Sequence, residues 1–229
     1  MNQKLTVIVP CFNEEKTIAQ IINRVLQQEV VREVIVVNDS STDNSASIIA
    51  QIKDKKLIYI ENSINLGKGA SVKKGFNLAS SEFVLIQDAD LEYSPEEYPR
   101  LLRPLEDGFA DAVFGSRFLS FESRRALYFW HRVGNKFLTL LSNMFTNIDL
   151  TDMETCYKVI RTDIAKQIDI KENRFGLEPE LTAKLAKMNA RIYEVAISYR
   201  GRTYQEGKKI TWKDGFSAIR CIVRYNLFK

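Results

Sequence analysis

Cysteine is scarce in this chain, and the few cysteines form no recognisable pattern. Cys11, Cys156 and Cys221 are odd in number, lie far apart and include no Cys-x-x-Cys pair, which argues against a disulfide framework or a zinc site. Long apolar runs are also missing, since the longest uncharged stretch, 137–148, falls short of the roughly 20 residues that a membrane-spanning helix needs. No signal peptide is recognisable at the N-terminus. We therefore expect a cytoplasmic protein that does not cross a bilayer.

Charge of one sign is not strongly in excess either. The 229 residues include 33 Lys and Arg against 29 Asp and Glu, a formal net charge of +4, so composition gives no reason to expect nucleic-acid binding. The small basic excess is compatible with phosphate-bearing ligands or an anionic membrane surface. With 45% hydrophobic residues and the length of one large α/β domain, the chain has enough apolar surface for a single core.

Two common nucleotide-binding motifs are absent. No Gly-x-Gly-x-x-Gly follows the first strand-like run, which disfavours a dinucleotide site. A phosphate-binding loop is matched only in outline, because Asn62 stands where its first glycine belongs and Gly69 where its Ser or Thr belongs, so ATP hydrolysis is disfavoured. The segment 65–69 still predicts a helix start whose N–H groups, with Lys68, face an anionic phosphate. The alternative is a glycine turn with a solvated lysine.

The first half of the chain alternates short β-branched runs with helical stretches. Strands are predicted at 5–9, 33–37, 57–60 and 83–86. Helices are predicted at 17–28, 45–53 and 69–79. This order is typical of an α/β protein with a mostly parallel, Rossmann-like sheet flanked by helices. In such sheets, ligands bind beyond the carboxyl ends of the strands.

The alternation weakens after about residue 115. Helical spacing predicts amphipathic helices at 124–145 and 211–229, and a strand is expected at 192–199. We find no repeat, low-complexity tract or linker in the sequence. The second half is therefore expected to complete the first domain rather than to form another.

Acid-bearing segments follow three of the predicted strands, at 10–15, 38–43 and 88–92. Each one alone is compatible with an ordinary turn or helix cap. Because the carboxyl ends of parallel strands meet at one edge of a sheet, we expect the three segments to converge there. Their convergence would make a ligand site.

The third of these segments suggests a metal site. Asp88 and Asp90 are two residues apart on an extended chain, so their carboxylates project to the same side and can share one Mg²⁺ or Mn²⁺ ion. Glu92 would add a third oxygen, and such an ion typically also binds substrate phosphates. The alternative is a capped turn before a helix that starts at Ser94.

Five motifs occur in an order that resembles family 2 glycosyltransferases. They are Pro-x-Phe-Asn-Glu at 10–14, Val-Val-Asn-Asp-Ser-Ser-x-Asp at 36–43, Asn-Leu-Gly-Lys-Gly at 65–69, Asp-Ala-Asp at 88–90 and Gly-Ser-Arg at 115–117. The resemblance covers essentially the whole chain. It is greatest to the branch that contains dolichol-phosphate mannose synthase and the bacterial polyprenyl-phosphate glycosyltransferases. It implies a GT-A fold and the inverting transfer of a hexose from a UDP- or GDP-sugar to dolichyl or undecaprenyl phosphate.

The resemblance also implies roles for individual residues. Contacts to the nucleotide sugar are expected from Pro10, Phe12, Glu14, Val37, Asp39, Lys68, Asp88, Ala89, Asp90 and Lys208. The metal cofactor, Mg²⁺ or Mn²⁺, would be bound by Asp88, Asp90 and Glu92. Arg117 would point toward the acceptor, and Arg202 with Lys208 or Lys209 would neutralise the departing diphosphate. The chain departs from the family at Asn38, where a second Asp is frequent.

The acceptor side leaves alternatives open. A lipid phosphate is already an anion near neutral pH, because its second pKa is about 6, and it needs no general base. Arg132 and Asn135, with Arg117, would then bind the phosphate. A saccharide or glycolipid hydroxyl needs a base, and Glu154 is the candidate, although it could equally be an ion-pairing residue. Glu178 either lines the sugar pocket or caps the helix that follows.

Several expectations concern the protein as a whole. The segment 1–118 would bind the nucleotide sugar and 119–229 the acceptor. The two amphipathic helices, at 124–145 and 211–229, suit peripheral attachment at the inner face of a membrane, although ordinary core packing or a homo-oligomer contact explains them too. A non-catalytic subunit that binds nucleotide sugars is the remaining alternative.

Overall fold

One seven-stranded sheet with interspersed helices makes up the part of the chain that the computed structural model describes, namely residues 3–119, 125–126, 128–174, 176–203 and 212–228. The strands are β1 (Leu5–Cys11), β2 (Val31–Asn38), β3 (Leu57–Glu61), β4 (Phe83–Ile86), β5 (Ala112–Ser116), β6 (Lys158–Arg161) and β7 (Ile192–Ala196). The helices are α1 (Ile18–Leu26), α2 (Ser45–Gln51), α3 (Lys68–Leu78), α4 (Tyr98–Glu106), α5 (Phe129–Thr146), α6 (Thr162–Ala165), α7 (Leu177–Lys187) and α8 (Trp212–Leu227). A 3-10 turn at Pro95–Glu97 precedes α4.

The sheet is mostly parallel, as predicted. Its strand order is β3-β2-β1-β4-β6-β5-β7. Strands β1 to β4 pair in parallel, and β5 pairs in parallel with β7. Strand β6 lies antiparallel between β4 and β5, so within the described ranges it alone runs against the others. The sequence predicted the four N-terminal strands but not β5 or β6.

The central strands are apolar because both of their faces are covered. Val7, Ile8 and Val9 of β1 have none of their surface exposed, and all four residues of β4 are buried. Helix α3 packs on β1 and β2, and α4 packs on the β5–β7 side of the sheet. Burying each such side chain stabilises the fold by about 1.5–3 kcal/mol. The core therefore lies along the central strands, while β3 and β7 at the two edges are more exposed.

Parallel pairing brings the predicted strand ends to one edge. Cys11 at the end of β1 pairs with Asn38 at the end of β2, and Ile8 pairs with Ile86 at the end of β4. The chain leaves all three strands at this edge, as the alternating pattern predicted. The convergence of the acid-bearing segments is therefore built into the sheet.

Two predicted elements have different limits in the structure. The helix predicted at 124–145 begins at Phe129, because Tyr128 before it is extended, with ψ of 127°; residue 124 lies outside the described residues. The strand predicted at 192–199 ends at Ala196. Beyond it the backbone N–H of Ser198 donates to Glu97, and that of Arg200 donates to the carbonyl of Glu92. These bonds turn the chain toward the end of β4.

Helix α8 is the last element in the described part of the chain. It packs against α5 and α7, and three of its side chains are held by Glu172: Tyr225 by a hydrogen bond, and Arg220 and Arg224 by ion pairs. Its limits agree with the predicted helix at 211–229, whose first and last residues lie outside the described ranges. Among the described residues, no helix combines the length and the apolar composition needed to cross a bilayer.

Candidate active site

Arg202 joins the acids from two strand ends. Its Nη2 atom lies 2.6 Å from Oδ2 of Asp90, and its Nη1 lies 3.4 Å from Oε2 of Glu14. Its backbone N–H donates to Oε1 of Glu92 at 2.7 Å. The segment after β7 therefore places a guanidinium group between the segments that follow β1 and β4.

Lys68 is a second cation of the site, and it pairs with Asp88, the acid that Arg202 does not contact. Nζ of Lys68 lies 2.9 Å from Oδ1 of Asp88 and 2.9 Å from Oε1 of Glu178, at the start of α7. Burial disfavours the charged form of Lys68, but the two carboxylates outweigh it and hold its pKa well above the usual range. Lys68 therefore lies beside the predicted acids, as expected. Its contact with Glu178 was not predicted.

The amide groups at the start of α3 do not face a ligand, and this part of the prediction is wrong. The N–H groups of Gly69 and Ala70 donate to the carbonyl of Asn173, at 2.8 and 3.4 Å. A Cβ atom on Gly69 would lie 1.9 Å from the carbonyl oxygen of Glu172, so only glycine allows this approach of two backbones. The loop before α7 fills the place that the sequence suggested for a phosphate.

Asp39 is buried and braces the loop that leads into α3. Its carboxylate accepts hydrogen bonds from the N–H groups of Leu66 and Gly67, at 2.9 and 2.6 Å, and from Nδ2 of Asn62 at 2.7 Å. Only 3% of Asp39 is exposed. Contact with the nucleoside stays a prediction for this residue, whose bracing role the sequence did not reveal.

Asn38 has a structural reason to be an amide. Its Nδ2 donates to Oη of Tyr59 at 3.1 Å and to Oε1 of Glu61 at 3.3 Å. A carboxylate at this position could not donate and would face the carboxylate of Glu61. The departure from the family pattern is therefore matched by the neighbouring strand β3.

The other residues predicted to contact the nucleotide sugar differ in accessibility. Phe12 is 38% exposed at the end of β1, and Pro10 is half-buried. The side chain of Val37 lies wholly in the core. Ala89 is buried, and its carbonyl accepts a hydrogen bond from Thr17 at 2.9 Å. Lys208 and Lys209 lie outside the described residues.

The acids that follow β4, Asp88, Asp90 and Glu92, offer hard oxygen donors. Burial, followed by the charges of Asp88 and Glu92, raises the pKa of Asp90 to about 7. A divalent cation would remove this repulsion, so the donor set fits Mg²⁺ or Mn²⁺. In the described parts of the chain, no three His, Cys, Asp or Glu side chains converge closely enough to hold an ion. The ligand set of Asp88, Asp90 and Glu92 stays a prediction.

The predicted acceptor residues lie around one buried carboxylate. Nε and Nη2 of Arg117 each donate to Asp152 at 2.7 Å, and Nδ2 of Asn135 donates to the same carboxylate at 3.4 Å. Arg132 is exposed on α5, three residues before Asn135, and so lies on a neighbouring part of the same helix surface. The guanidinium of Arg117 also stacks over the ring of Tyr199, 5.1 Å from its centroid.

Glu154, the candidate base, lies in the turn before β6. Its Oε1 atom is buried and has no hydrogen-bond partner among the described residues. Burial, followed by the charge of Glu178, raises the pKa of Glu154 to about 7. Nζ of Lys158 donates to the carbonyls of Met153 and Thr155, at 2.8 and 2.5 Å, and fixes the turn that carries Glu154.

The family model for glycosyl transferase family 2 matches residues 6–169, which is more than half of the chain and includes the β1, β2 and β4 segments described above. The chain belongs to this family.

Its curated relatives include sugar transferases. An undecaprenyl-phosphate 4-deoxy-4-formamido-L-arabinose transferase of Proteus mirabilis is 29% identical over 212 residues, covering 90% of this chain and 62% of that protein. A low-salt glycan biosynthesis hexosyltransferase of Haloferax volcanii is 29% identical over 220 residues, covering 94% of this chain and 52% of that protein. The chain thus spans just over half of each. An uncharacterised protein of Methanocaldococcus jannaschii, 28% identical over 223 residues, is covered to 94% of its length, with 90% of this chain matched.

Solved structures identify the fold as GT-A. Glucosyl-3-phosphoglycerate synthase from Mycobacterium tuberculosis, in complex with Mn²⁺, UDP and glucosyl-3-phosphoglycerate, superposes with a TM-score of 0.76. The match covers 99% of this chain and 81% of that one at 17% sequence identity. A complex of the same enzyme with Mg²⁺ and UDP gives a TM-score of 0.73 at 19% identity, covering 99% of this chain and 80% of that one. The fold that the motifs implied is confirmed.

Proposed function

We propose that this glycosyltransferase moves a hexose from a UDP- or GDP-sugar to a polyprenyl phosphate, with inversion at the anomeric carbon. The observation that carries the proposal is the position of Arg117. Its guanidinium stacks on Tyr199, and the hydroxyl of Tyr199 donates to Glu92, one of the acids expected at the donor diphosphate. A cation for an acceptor phosphate thus lies one aromatic ring away from the donor acids. The name of the Proteus mirabilis relative, an undecaprenyl-phosphate sugar transferase, supports the same acceptor class.

The reaction requires charge stabilisation more than proton transfer. An oxygen of the acceptor phosphate attacks the anomeric carbon, and the bond from that carbon to the diphosphate breaks, leaving its electron pair on the diphosphate. Arg202 and Lys68 stabilise the negative charge that develops there. Asp88, Asp90 and Glu92 would hold the divalent cation, which supplies Lewis-acid stabilisation of the leaving group when bound. The nucleoside would contact Pro10, Phe12, Glu14, Val37 and Asp39, and Ala89 would lie at the diphosphate.

A hydroxyl acceptor is the second candidate, and Glu154 favours it. A base for a hydroxyl works best with a pKa near the working pH, and Glu154 has a pKa of about 7 and an unpartnered oxygen. The charged groups that influence it are Glu178 from α7, Lys158 from β6, and Arg117 with Asp152. As a base, Glu154 must be ionised, so transfer to a hydroxyl would increase with pH between 6 and 8.

Glu154→Gln separates the two acceptors. With farnesyl phosphate as acceptor, we expect turnover within about twofold of wild type and the same pH profile, because the phosphate ionises near pH 6 without help. A loss of turnover of about 10²–10⁴-fold in the variant would show that Glu154 acts as a base and would favour the hydroxyl acceptor. The measurement is radiolabelled hexose transfer from UDP- and GDP-hexoses to farnesyl phosphate and to farnesol, between pH 5 and 9. Failure of wild type to use the phosphate would contradict the proposal.

We further propose that the enzyme works at the cytoplasmic face of a membrane and docks there through α5. Exposed apolar side chains recur along this helix with helical spacing, namely Phe129, Trp130, Val133, Phe137, Leu140 and Met144. Arg132 and Lys136 are exposed beside them, and α5 carries no acidic residue. An apolar face flanked by cations suits an anionic lipid surface.

Trp130→Glu tests this docking face. Wild type is expected to co-sediment with vesicles that contain phosphatidylglycerol. The variant is expected to bind roughly tenfold less, because it loses a large ring that would insert into the bilayer and gains a charge of the same sign as the lipid. Phe109→Glu is the matched control, since Phe109 is also exposed, at 59%, but lies outside α5. Equal binding of the two variants, or no binding by wild type, would remove the docking role of α5.

A further inference from the structure

We infer that Asp152 is the positioning residue of the acceptor site: it aims Arg117 and Asn135 at the acceptor phosphate without touching the phosphate itself. This inference rests on the proposed function, because it takes those two residues as the acceptor contacts. Asp152 has none of its surface exposed. Its effect on the acceptor must therefore pass through the side chains that it holds.

Asp152 fixes Arg117 through three hydrogen bonds. Oδ2 accepts from the backbone N–H and from Nε of Arg117, at 3.0 and 2.7 Å, and Oδ1 accepts from Nη2 at 2.7 Å. This two-pronged pairing sets both the position and the plane of the guanidinium. It engages Nε and Nη2, so Asp152 does not use the N–H groups of Nη1. Only 15% of the Arg117 side chain is exposed.

The same carboxylate fixes the second acceptor residue. Oδ1 of Asp152 accepts from Nδ2 of Asn135 at 3.4 Å, while Oδ1 of Asn135 accepts from the hydroxyl of Thr139 at 3.3 Å. The Thr139 hydroxyl in turn accepts from the backbone N–H of Met153 at 3.2 Å. Helix α5 and the segment after β5 are therefore held in register by one acid.

Asp152 is itself held from the neighbouring strand. The carboxylate of Glu194, in β7, accepts from the backbone N–H groups of Thr151 and Asp152, at 2.8 and 3.1 Å, and from the Thr151 hydroxyl at 3.0 Å. The position of Arg117 is thus set by two successive acids, one on the loop and one on the sheet. A misplacement of about 1 Å in such a group can reduce function by about 10²-fold.

Asp152→Asn tests the inference, because it should weaken binding of the acceptor but not binding of the donor nucleotide. Asparagine offers a single acceptor oxygen, so Arg117 loses its two-pronged partner. We expect the equilibrium dissociation constant for farnesyl phosphate, measured by calorimetry with UDP or GDP and Mn²⁺ present, to increase by about 10–100-fold. The dissociation constant for the nucleotide, measured without the acceptor, is expected to stay within twofold of wild type. A purely structural role would weaken both together and would contradict the inference.

Asp111→Asn is a matched control. Asp111 accepts from the backbone N–H, Nε and Nη2 of Arg191, at 2.9, 2.9 and 2.8 Å, so it makes the same pairing. This pair precedes β5 and β7, at the opposite end of these strands from Ser116 and Arg117. We expect Asp111→Asn to leave farnesyl phosphate binding unchanged.

Asp152→Glu covers the case in which the asparagine variant does not fold. It retains the charge but moves the carboxylate by one methylene, so it should fold and still bind farnesyl phosphate more weakly than wild type. Wild-type affinity in this variant would overturn the role of Asp152 while leaving the proposed function standing. Failure of wild type itself to bind farnesyl phosphate in preference to farnesol would overturn the acceptor assignment, and the inference with it.

Discussion

Asp90→Asn is expected to reduce sugar transfer by about 10²–10³-fold while the protein remains folded. Asp90 lies 2.6 Å from Arg202 and is one of two carboxylates, with Asp88, at the end of β4. The variant keeps the shape of the side chain but removes the charge that a divalent cation and the leaving diphosphate require. Turnover with saturating donor and metal is the measurement.

The fold should tolerate this change because the charge of Asp90 is costly in the ligand-free protein. Its pKa is raised to about 7 by burial, Asp88 and Glu92, so the native state binds a proton more readily than the unfolded chain. The free energy of unfolding therefore falls as the pH rises toward 7, and the amide removes this loss. We expect a melting temperature no lower than that of wild type at pH 8. Asp107→Asn, at an exposed ion pair with Arg103, is the control. Near-normal turnover in Asp90→Asn would contradict the metal and diphosphate assignment.

Arg202→Gln is expected to lower turnover by about 10²-fold or more, mainly through kcat. The guanidinium that contacts Asp90, Glu14 and Glu92 would no longer be present to stabilise the charge on the departing diphosphate. Because this charge is larger in the transition state than in the bound donor, the chemical step should suffer more than donor affinity. Single-turnover kinetics with a nucleotide-binding titration measure the two effects separately.

Arg200→Gln is the control for Arg202→Gln. Arg200 lies two residues earlier in the same segment and is exposed, and its backbone rather than its side chain bonds to Glu92. We expect its turnover to stay within about twofold of wild type. A similar loss in both variants would mean that overall charge near the site matters rather than the contact of Arg202 with the acids.

The sequence predicted the N-terminal half of the fold because its signals there are local. Strands β1 to β4 are short apolar runs, and a helix separates each of them from the next. Strand β6 is different: only four residues long, it pairs antiparallel with β4 and β5, which are distant in sequence. Such pairing depends on contacts made across the whole chain, which periodicity does not report.

The sequence predicted that the acid-bearing segments converge, but it predicted few of the individual contacts. The convergence of Glu14, Asp88 and Asp90 follows from parallel strand ends, and the family resemblance named Arg117 and Arg202 as candidates. The contacts of Lys68 with Glu178 and of Asp39 with the loop before α3 were not predicted. The first contact joins residues far apart in sequence, and the second uses backbone amides. Neither produces a pattern of residue spacing that could be recognised in the sequence.

Asp152 and Tyr199 are the functional candidates that sequence reasoning did not single out. Asp152 lies in a loop that resembles an ordinary turn, and its importance comes from a bidentate pair with an arginine 35 residues away. Tyr199 follows a strand that was predicted to continue through it. A signal was present, because the segment 199–204 contains two tyrosines and two arginines, but their partners only become evident once β7 ends at Ala196.

The ring of Tyr199 lies between the residues proposed for the acceptor and those proposed for the donor. One face lies under Arg117, with 5.1 Å between the guanidinium carbon and the ring centroid, and the hydroxyl donates to Glu92 at 2.6 Å. Under the proposed function, a substitution that reshapes this ring to change the preference for one substrate would therefore alter the binding of the other. A selection for new acceptors should leave position 199 fixed.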